Sequence, residues 1–253
     1  EFANFWARIK GATKGVTALK VNNMRDGFGD VQQQNYRVSI SNPAKSPGEL
    51  YNKISSDINS IYGTDQGDFK FKVQQNSQQL TKNDYIEIDP NLKGFNMFVK
   101  VADVQVYNEN NRKSGVDMPH QGFSTIFRTM QGHVEVGSIT FTALEMINPQ
   151  TGDITFEFNI SSTSRINHGV GNLLNSTFET ARNAQQEVWH QVLQNVSDYM
   201  GGTVKDANQV IRNFKYSEIE DVDNDDTQIG NPKNIALPAV ESKNIKITGS
   251  KKK

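Results

Sequence analysis

Apolar and polar residues alternate along the middle of the chain with a period of two. Ile154, Phe156, Phe158 and Ile160 alternate with Thr155, Glu157 and Asn159, which predicts a half-buried strand. Shorter strands are predicted at Asp68–Val73 and Tyr85–Ile88, and longer ones at Phe95–Tyr107, Gly122–Met130 and His133–Met146. In the 95–107 strand, strict alternation puts Phe98, Ala102, Val104 and Val106 on one face. Phe95, Met97, Val99 and Val101 fall on the other. Asn148-Pro149-Gln150-Thr151-Gly152-Asp153 is rich in turn formers and predicts a tight connection.

Two segments follow a period near 3.6 instead. Pro47 and Glu49 suit the first turn of a helix, and Leu50, Ile54, Ile58 and Ile61 continue it to Gly63. A longer stripe runs through Leu174, Phe178, Ala181, Gln185, Val188, Val192, Val196 and Tyr199, widened by Trp189 and Leu193. Gly201-Gly202 ends it. A run of strands followed by one long amphipathic helix predicts an α+β fold, with the helix covering one face of an antiparallel sheet. At the N-terminus Phe2, Phe5, Trp6 and Ile9 have helical spacing, with Arg8, Lys10 and Lys14 nearby. They suit a docked helix, or one lying on a membrane surface. The expected organisation is a lead segment 1–34, a main domain 35–202 and a polar extension 203–253.

Composition narrows the chemistry. The 253 residues include 14 Phe and 7 Tyr but no Cys. Disulfides, thiol nucleophiles and cysteine-ligated metals are therefore excluded. Cysteine absence fits a cytoplasmic protein, and equally one exported or injected by a leaderless route. The four histidines, His120, His133, His168 and His190, lack the spacing of a metal site, so no metal and no cofactor is expected. Net charge is −1, and basic residues are not interleaved with aromatics on one face, which disfavours nucleic acid. No apolar run is long enough to span a bilayer as a helix. Asp221, Asp223 and Asp225 alternate like the start of a calcium loop. Asp226 and Pro232 stand where that loop needs glycine and glutamate, so a solvated tail is expected.

The motif that stands out is Gly132-His133-Val134-Glu135-Val136-Gly137. Two residues apart on a strand, His133 and Glu135 are predicted to share a face. The glycines allow a bend or the close approach of a neighbour. The pair reads as a candidate acid/base or ligand-orienting pair, with Glu135 raising the imidazole pKa. The alternative is a hydrogen-bonded pair that fixes a turn or strand edge. Arg128 is a candidate for a ligand carboxylate or phosphate, or else a surface ion pair. Glu157 could join His133 and Glu135, although its strand parity points it outward beside Thr155 and Asn159. Trp189 reads as a core anchor that could also line a pocket. Ser162 and Ser164 lack the elbow motif of a serine nucleophile.

Residues Gly122-Phe123, the Gly-His-x-Glu-x-Gly motif, Ile154-Thr155-Phe156-Glu157-Phe158 and the helix from Asn172 to Met200 together resemble the domain of unknown function 1990 family. That family is similar to START/Bet v 1-like helix-grip proteins, in which a curved antiparallel sheet wraps a long C-terminal helix. The family's Phe-Ser-Arg/Lys-Pro turn is replaced by Ser161-Ser162-Thr163-Ser164-Arg165. The resemblance implies an apolar cavity between sheet and helix, but no established activity. The expected function is non-catalytic binding of a small apolar or lipid-like ligand, with His133, Glu135, Arg128, Glu157 and Trp189 as site residues. The alternative is a bacterial effector or toxin cargo of a contractile injection system, whose termini engage the secretion or injection apparatus. A third reading is an interaction domain that uses exposed sheet or terminal segments.

Overall fold

The structure is a computed structural model that describes residues 19–64, 69–74, 78–89, 96–107, 121–148, 150–167, 177–216 and 241–247. Nine antiparallel strands form one sheet: β1 (Gly27–Ser41), β2 (Lys70–Gln74), β3 (Tyr85–Asp89), β4 (Met97–Tyr107), β5 (Gln121–Thr129), β6 (Glu135–Ile147), β7 (Ile154–Asn167), β8 (Thr203–Phe214) and β9 (Glu241–Asn244). Their order across the sheet is β2-β3-β4-β5-β6-β7-β1-β8-β9. Among the described residues three α-helices accompany them: α1 (Pro47–Ser56) and α2 (Asn59–Tyr62) between β1 and β2, and α3 (Thr177–Met200) after β7.

Capping starts α1. The Ser46 side chain accepts the Glu49 amide, and the Glu49 carboxylate accepts the Ser46 N–H at 2.9 Å. The single helix expected to run to Ile61 is instead broken at Asp57, whose φ of −154° leaves the helical region. The break lets Ile54, Ile58, Ile61 and Tyr62 all reach the core. In α3, Val188, Trp189, Val192, Leu193, Val196 and Met200 are buried, as the stripe requires. They meet Tyr36, Val38, Ile40, Phe141, Phe156, Phe158 and Ile160 from the inner face of the sheet. Helix α3 approaches β1, β7 and α2 closely. Sheet and long helix thus form the curved helix-grip arrangement expected from the sequence.

Three corrections concern the sheet. Residues 27–34 belong to β1, not to a lead segment, and 203–214 form β8, which pairs along β1. The sheet therefore runs past both ends of the expected 35–202 domain. In both strands the inward positions include glutamine (Gln32 and Gln34 in β1, Gln209 in β8), so apolar alternation is weak. In β4 the register shifts between Val101 and Asp103, leaving Ala102 as an extra residue. The bulge reverses the parity, so Val99 and Val101 share a face with Val104 rather than opposing it. The N-terminal helix, the 221–226 acidic run, His120, His168, Leu174 and the side chain of Phe178 lie outside what the structure describes. Of the segments 1–30 and 203–253 that the injection reading assigns to docking, residues 1–18, 217–240 and 248–253 lie outside it too.

One edge strand is sealed by a side chain. The Asn59 amide accepts the Phe71 N–H at 2.7 Å and donates to the Phe71 carbonyl at 2.7 Å. A carboxamide here takes the place of a further strand on the free edge of β2. Asn59→Ala is expected to expose the Phe71 amide to solvent and cost about 1–2 kcal/mol. Hydrogen exchange checks this: the Phe71 amide should lose protection while the β7 amides keep theirs.

Candidate functional site

Two parities of side chain divide the sheet. Toward α3 point Gln32, Gln34, Tyr36, Val38 and Ile40 of β1, in register with Ser164, Ser162, Ile160, Phe158 and Phe156 of β7. Each strand therefore grades from hydrogen-bonding residues at one end to apolar ones at the other. Strand β6 does the same, with Glu135 at its start and Phe141 and Ala143 further on. The three polar ends meet beneath the N-terminal half of α3.

Glu135 lies at the centre of this polar end and is buried. One carboxylate oxygen accepts the Ser164 hydroxyl at 3.0 Å, and the other accepts the Gln185 amide of α3 at 3.1 Å. Gln34 donates to Gln185 at 3.4 Å and to Gln32 at 2.6 Å. Tyr36 donates to Gln34 at 2.7 Å, and Gln32 donates to Asn213 at 3.1 Å. The result is a chain of polar side chains running from β6 through α3 to β8. Burial raises the Tyr36 phenol pKa, and the charges of Glu135 and Glu187 push it further in the same direction. Tyr36 therefore stays a hydroxyl donor at any ordinary pH. His190 meets Gln209 at 2.7 Å and sets its ring edge-on to Tyr36 at 5.8 Å. It links α3 to β8.

The His133–Glu135 contact differs from the expected one. His133 sits in the turn before β6, and its Nδ1 accepts the backbone N–H of Glu135 at 3.0 Å. The Glu135 carboxylate points elsewhere, to Ser164 and Gln185. His133 therefore braces the turn, as in the hydrogen-bonded alternative. Burial lowers its pKa to about 4, although the Glu135 carbonyl opposes that shift. The motif glycines do what their positions suggested. A Cβ on Gly137 would stand 2.1 Å from the Thr163 carbonyl, so β6 and β7 can approach only at a glycine.

Of the other expected site residues, only Trp189 lies on the helix side. It is buried in the core, edge-on to Phe141 at 5.8 Å. Arg128 and Glu157 project from the opposite face. The Arg128 guanidinium donates to the Asn22 carbonyl at 3.1 Å, which ties down the chain before β1. Glu157 pairs with Arg37 across β1 and β7. The sheet thickness separates both residues from Glu135. Ser164 serves the Glu135 carboxylate rather than His133. Gln32, Gln34, Tyr36 and Gln209 were not singled out from the sequence, and Gln185 was read only as part of the helix stripe. Their signal was there: glutamines at alternate positions of a strand whose next positions are Tyr36, Val38 and Ile40.

Among the described residues no group of three or more His, Asp or Glu could hold a metal ion. No described helix is long and apolar enough to cross a membrane. No family model matches the chain, so the resemblance to the domain of unknown function 1990 family gains no support. No curated protein matches it either. Among solved structures, it is similar to Ara h 8.0201, with 7% identity and a TM-score of 0.30 over 62% of this chain and 95% of that one. It is also similar to the major latex-like protein 151 of Panax ginseng, with 11% identity and a TM-score of 0.32 over 64% and 95%. Likenesses this distant carry nothing about function. The helix-grip assignment stands on the strand order and the seat of α3.

The His133 environment gives a signed pH dependence. Unfolded His133 binds a proton below about pH 6.5, whereas the folded side chain does so only near pH 4. The unfolded state thus holds more protons between these values. His133 then contributes stability above about pH 6.5 that is lost as pH falls toward 4, amounting to roughly 3 kcal/mol. Urea unfolding across this window should show His133→Asn with a shallower slope than the parent chain. Parallel slopes would assign the pH dependence to other groups.

Proposed function

We propose that this protein binds a small amphiphilic molecule between α3 and the sheet, without catalysis. One observation carries the reading: the inner face grades from aromatic to hydrogen-bonding residues under a single helix. An apolar body suits the side of Phe141, Phe156, Phe158 and Trp189. A polar head suits the side of Glu135, Ser164, Gln185 and Gln34. Such a division, mostly apolar with a few convergent polar groups, is the usual makeup of a small-molecule site.

The head group can be narrowed. Glu135 presents a carboxylate among hydrogen-bond donors, so a donor on the ligand is favoured and a second anion is repelled. Alcohols, amides and amines fit; free carboxylates do not. His133 braces the turn before β6 rather than touching the ligand. Arg128 and Glu157 have no part, because they project from the other face.

Thermal unfolding and native mass spectrometry with dodecanol, dodecylamine and dodecanoate test this. The alcohol and amine are expected to form one-to-one adducts and raise the midpoint by several degrees, and dodecanoate by less. Glu135→Gln should narrow the difference between amine and acid. A panel in which no compound binds, or in which dodecanoate binds best, would contradict the proposal.

A further inference from the structure

The polar residues near Glu135 are paired with one another, but a second group of buried polar atoms is not. The Tyr62 hydroxyl, the Thr125 hydroxyl and the Trp189 indole N–H are buried without a hydrogen-bond partner. Tyr62 and Thr125 are each 1% exposed, and Trp189 is 8% exposed. They come from three elements (α2, β5 and α3) yet converge on one ring. Tyr62 stacks on Phe141 at 4.4 Å, and Trp189 meets it edge-on at 5.8 Å. Thr125 is the cross-strand partner of Phe141, and its hydroxyl approaches that of Tyr62 as a hydrogen-bond partner would, short of full bond geometry, which leaves at least one of the two O–H groups to donate elsewhere.

Chance does not gather such atoms cheaply. A buried donor left unmade carries its full desolvation penalty, and a core free of them is within easy reach of Phe and Val substitutions. Elsewhere in the same interior the cost is avoided: Tyr36 donates to Gln34, and Ser197 donates to Leu193. The surroundings restrict what could serve the three atoms. Phe71 and Phe127 flank Tyr62 edge-on at 6.3 and 6.4 Å, which makes the neighbourhood apolar. A charged group would be desolvated there at great cost. A neutral oxygen acceptor would not, and an oxygen with two lone pairs can take more than one donor.

We infer that Tyr62, Thr125 and Trp189 form a recognition point for a neutral acceptor oxygen, such as a ketone or ester carbonyl, on a ligand seated against Phe141. The inference rests on the ligand-binding reading above and deepens it. Trp189 lies one turn beyond Gln185 on α3, about 6 Å along the axis. The favoured ligand therefore carries an acceptor oxygen a short way along from its donor head.

Prodan, a naphthalene with a propionyl ketone, tests the point, because its emission moves to longer wavelength when the carbonyl accepts hydrogen bonds. 2-Propylnaphthalene, which lacks the carbonyl, is the control, followed by quenching of Trp fluorescence. Prodan bound to the parent chain is expected to emit as a hydrogen-bonded ketone. Tyr62→Phe and Thr125→Val, made separately and together, should weaken prodan by about tenfold or more and move its emission to shorter wavelength. They should leave 2-propylnaphthalene within about twofold, and should not lower the melting midpoint of the ligand-free chain. Bound prodan that emits as in an aprotic medium in the parent chain overturns the inference and leaves the general reading standing. So does equal weakening of both probes. If neither probe binds the parent chain, the ligand-binding reading itself is overturned, and this site with it.

Discussion

Everything else in the molecule depends on the seating of α3 against the inner face of the sheet. Val188, Val192, Leu193, Val196 and Met200 remove their apolar surface from water by packing on residues of β1 and β7. Burial of that kind contributes about 1.5–3 kcal/mol for each large side chain. Neither surface is viable alone: the helix stripe would be exposed, and the concave side of the sheet would present Phe156, Phe158 and Phe141 to solvent. Their union creates an enclosed interface, and the enclosed interface gives the polar residues at one end their chemical meaning.

Those polar residues are retained at a cost. A buried carboxylate is tolerated only when its lone pairs are filled, and Ser164 and Gln185 fill two of them. The chain from Glu135 through Gln185, Gln34, Tyr36 and Gln32 to Asn213 spans three strands and the helix. A stability-driven interior would use leucine and valine at these places. A hydrogen-bonding surface beneath an otherwise aromatic helix seat matches a molecule with one polar end. The aromatic end carries its own polar atoms on Tyr62, Thr125 and Trp189, so the interface offers two chemically different contacts one helical turn apart.

Much of this was legible in the sequence, and the misses share a physical cause. Period-two runs placed β5, β6 and β7, the α3 stripe was found with its buried residues, and Ser46-Pro47-Gly48-Glu49 gave the start of α1. Strands β1 and β8 were missed because their inward positions carry Gln32, Gln34 and Gln209, which break apolar alternation without breaking the strand. The β4 faces were misassigned because one extra residue at Ala102 reverses parity, and nothing in alternation alone reveals a bulge. The same limit applied to the site. His133 and Glu135 were picked out as a same-face pair, yet their contact runs through the Glu135 backbone. The partners of the carboxylate, Ser164 and Gln185, are 29 and 50 residues away. Arg128 and Glu157 failed as neighbours for a simpler reason: both stand at outward positions of their strands.

The direct measurement of the central claim is a two-dimensional amide and indole NMR titration with dodecanol. Enclosure between α3 and the sheet predicts that the Trp189 indole N–H, assigned by Trp189→Phe, shifts in saturable fashion together with the side-chain amides of Gln34 and Gln185. Arg37 and Asn159, on the outer face, should stay unmoved. Shifts confined to that outer face, with the Trp189 indole unaffected at saturating alcohol, would contradict it.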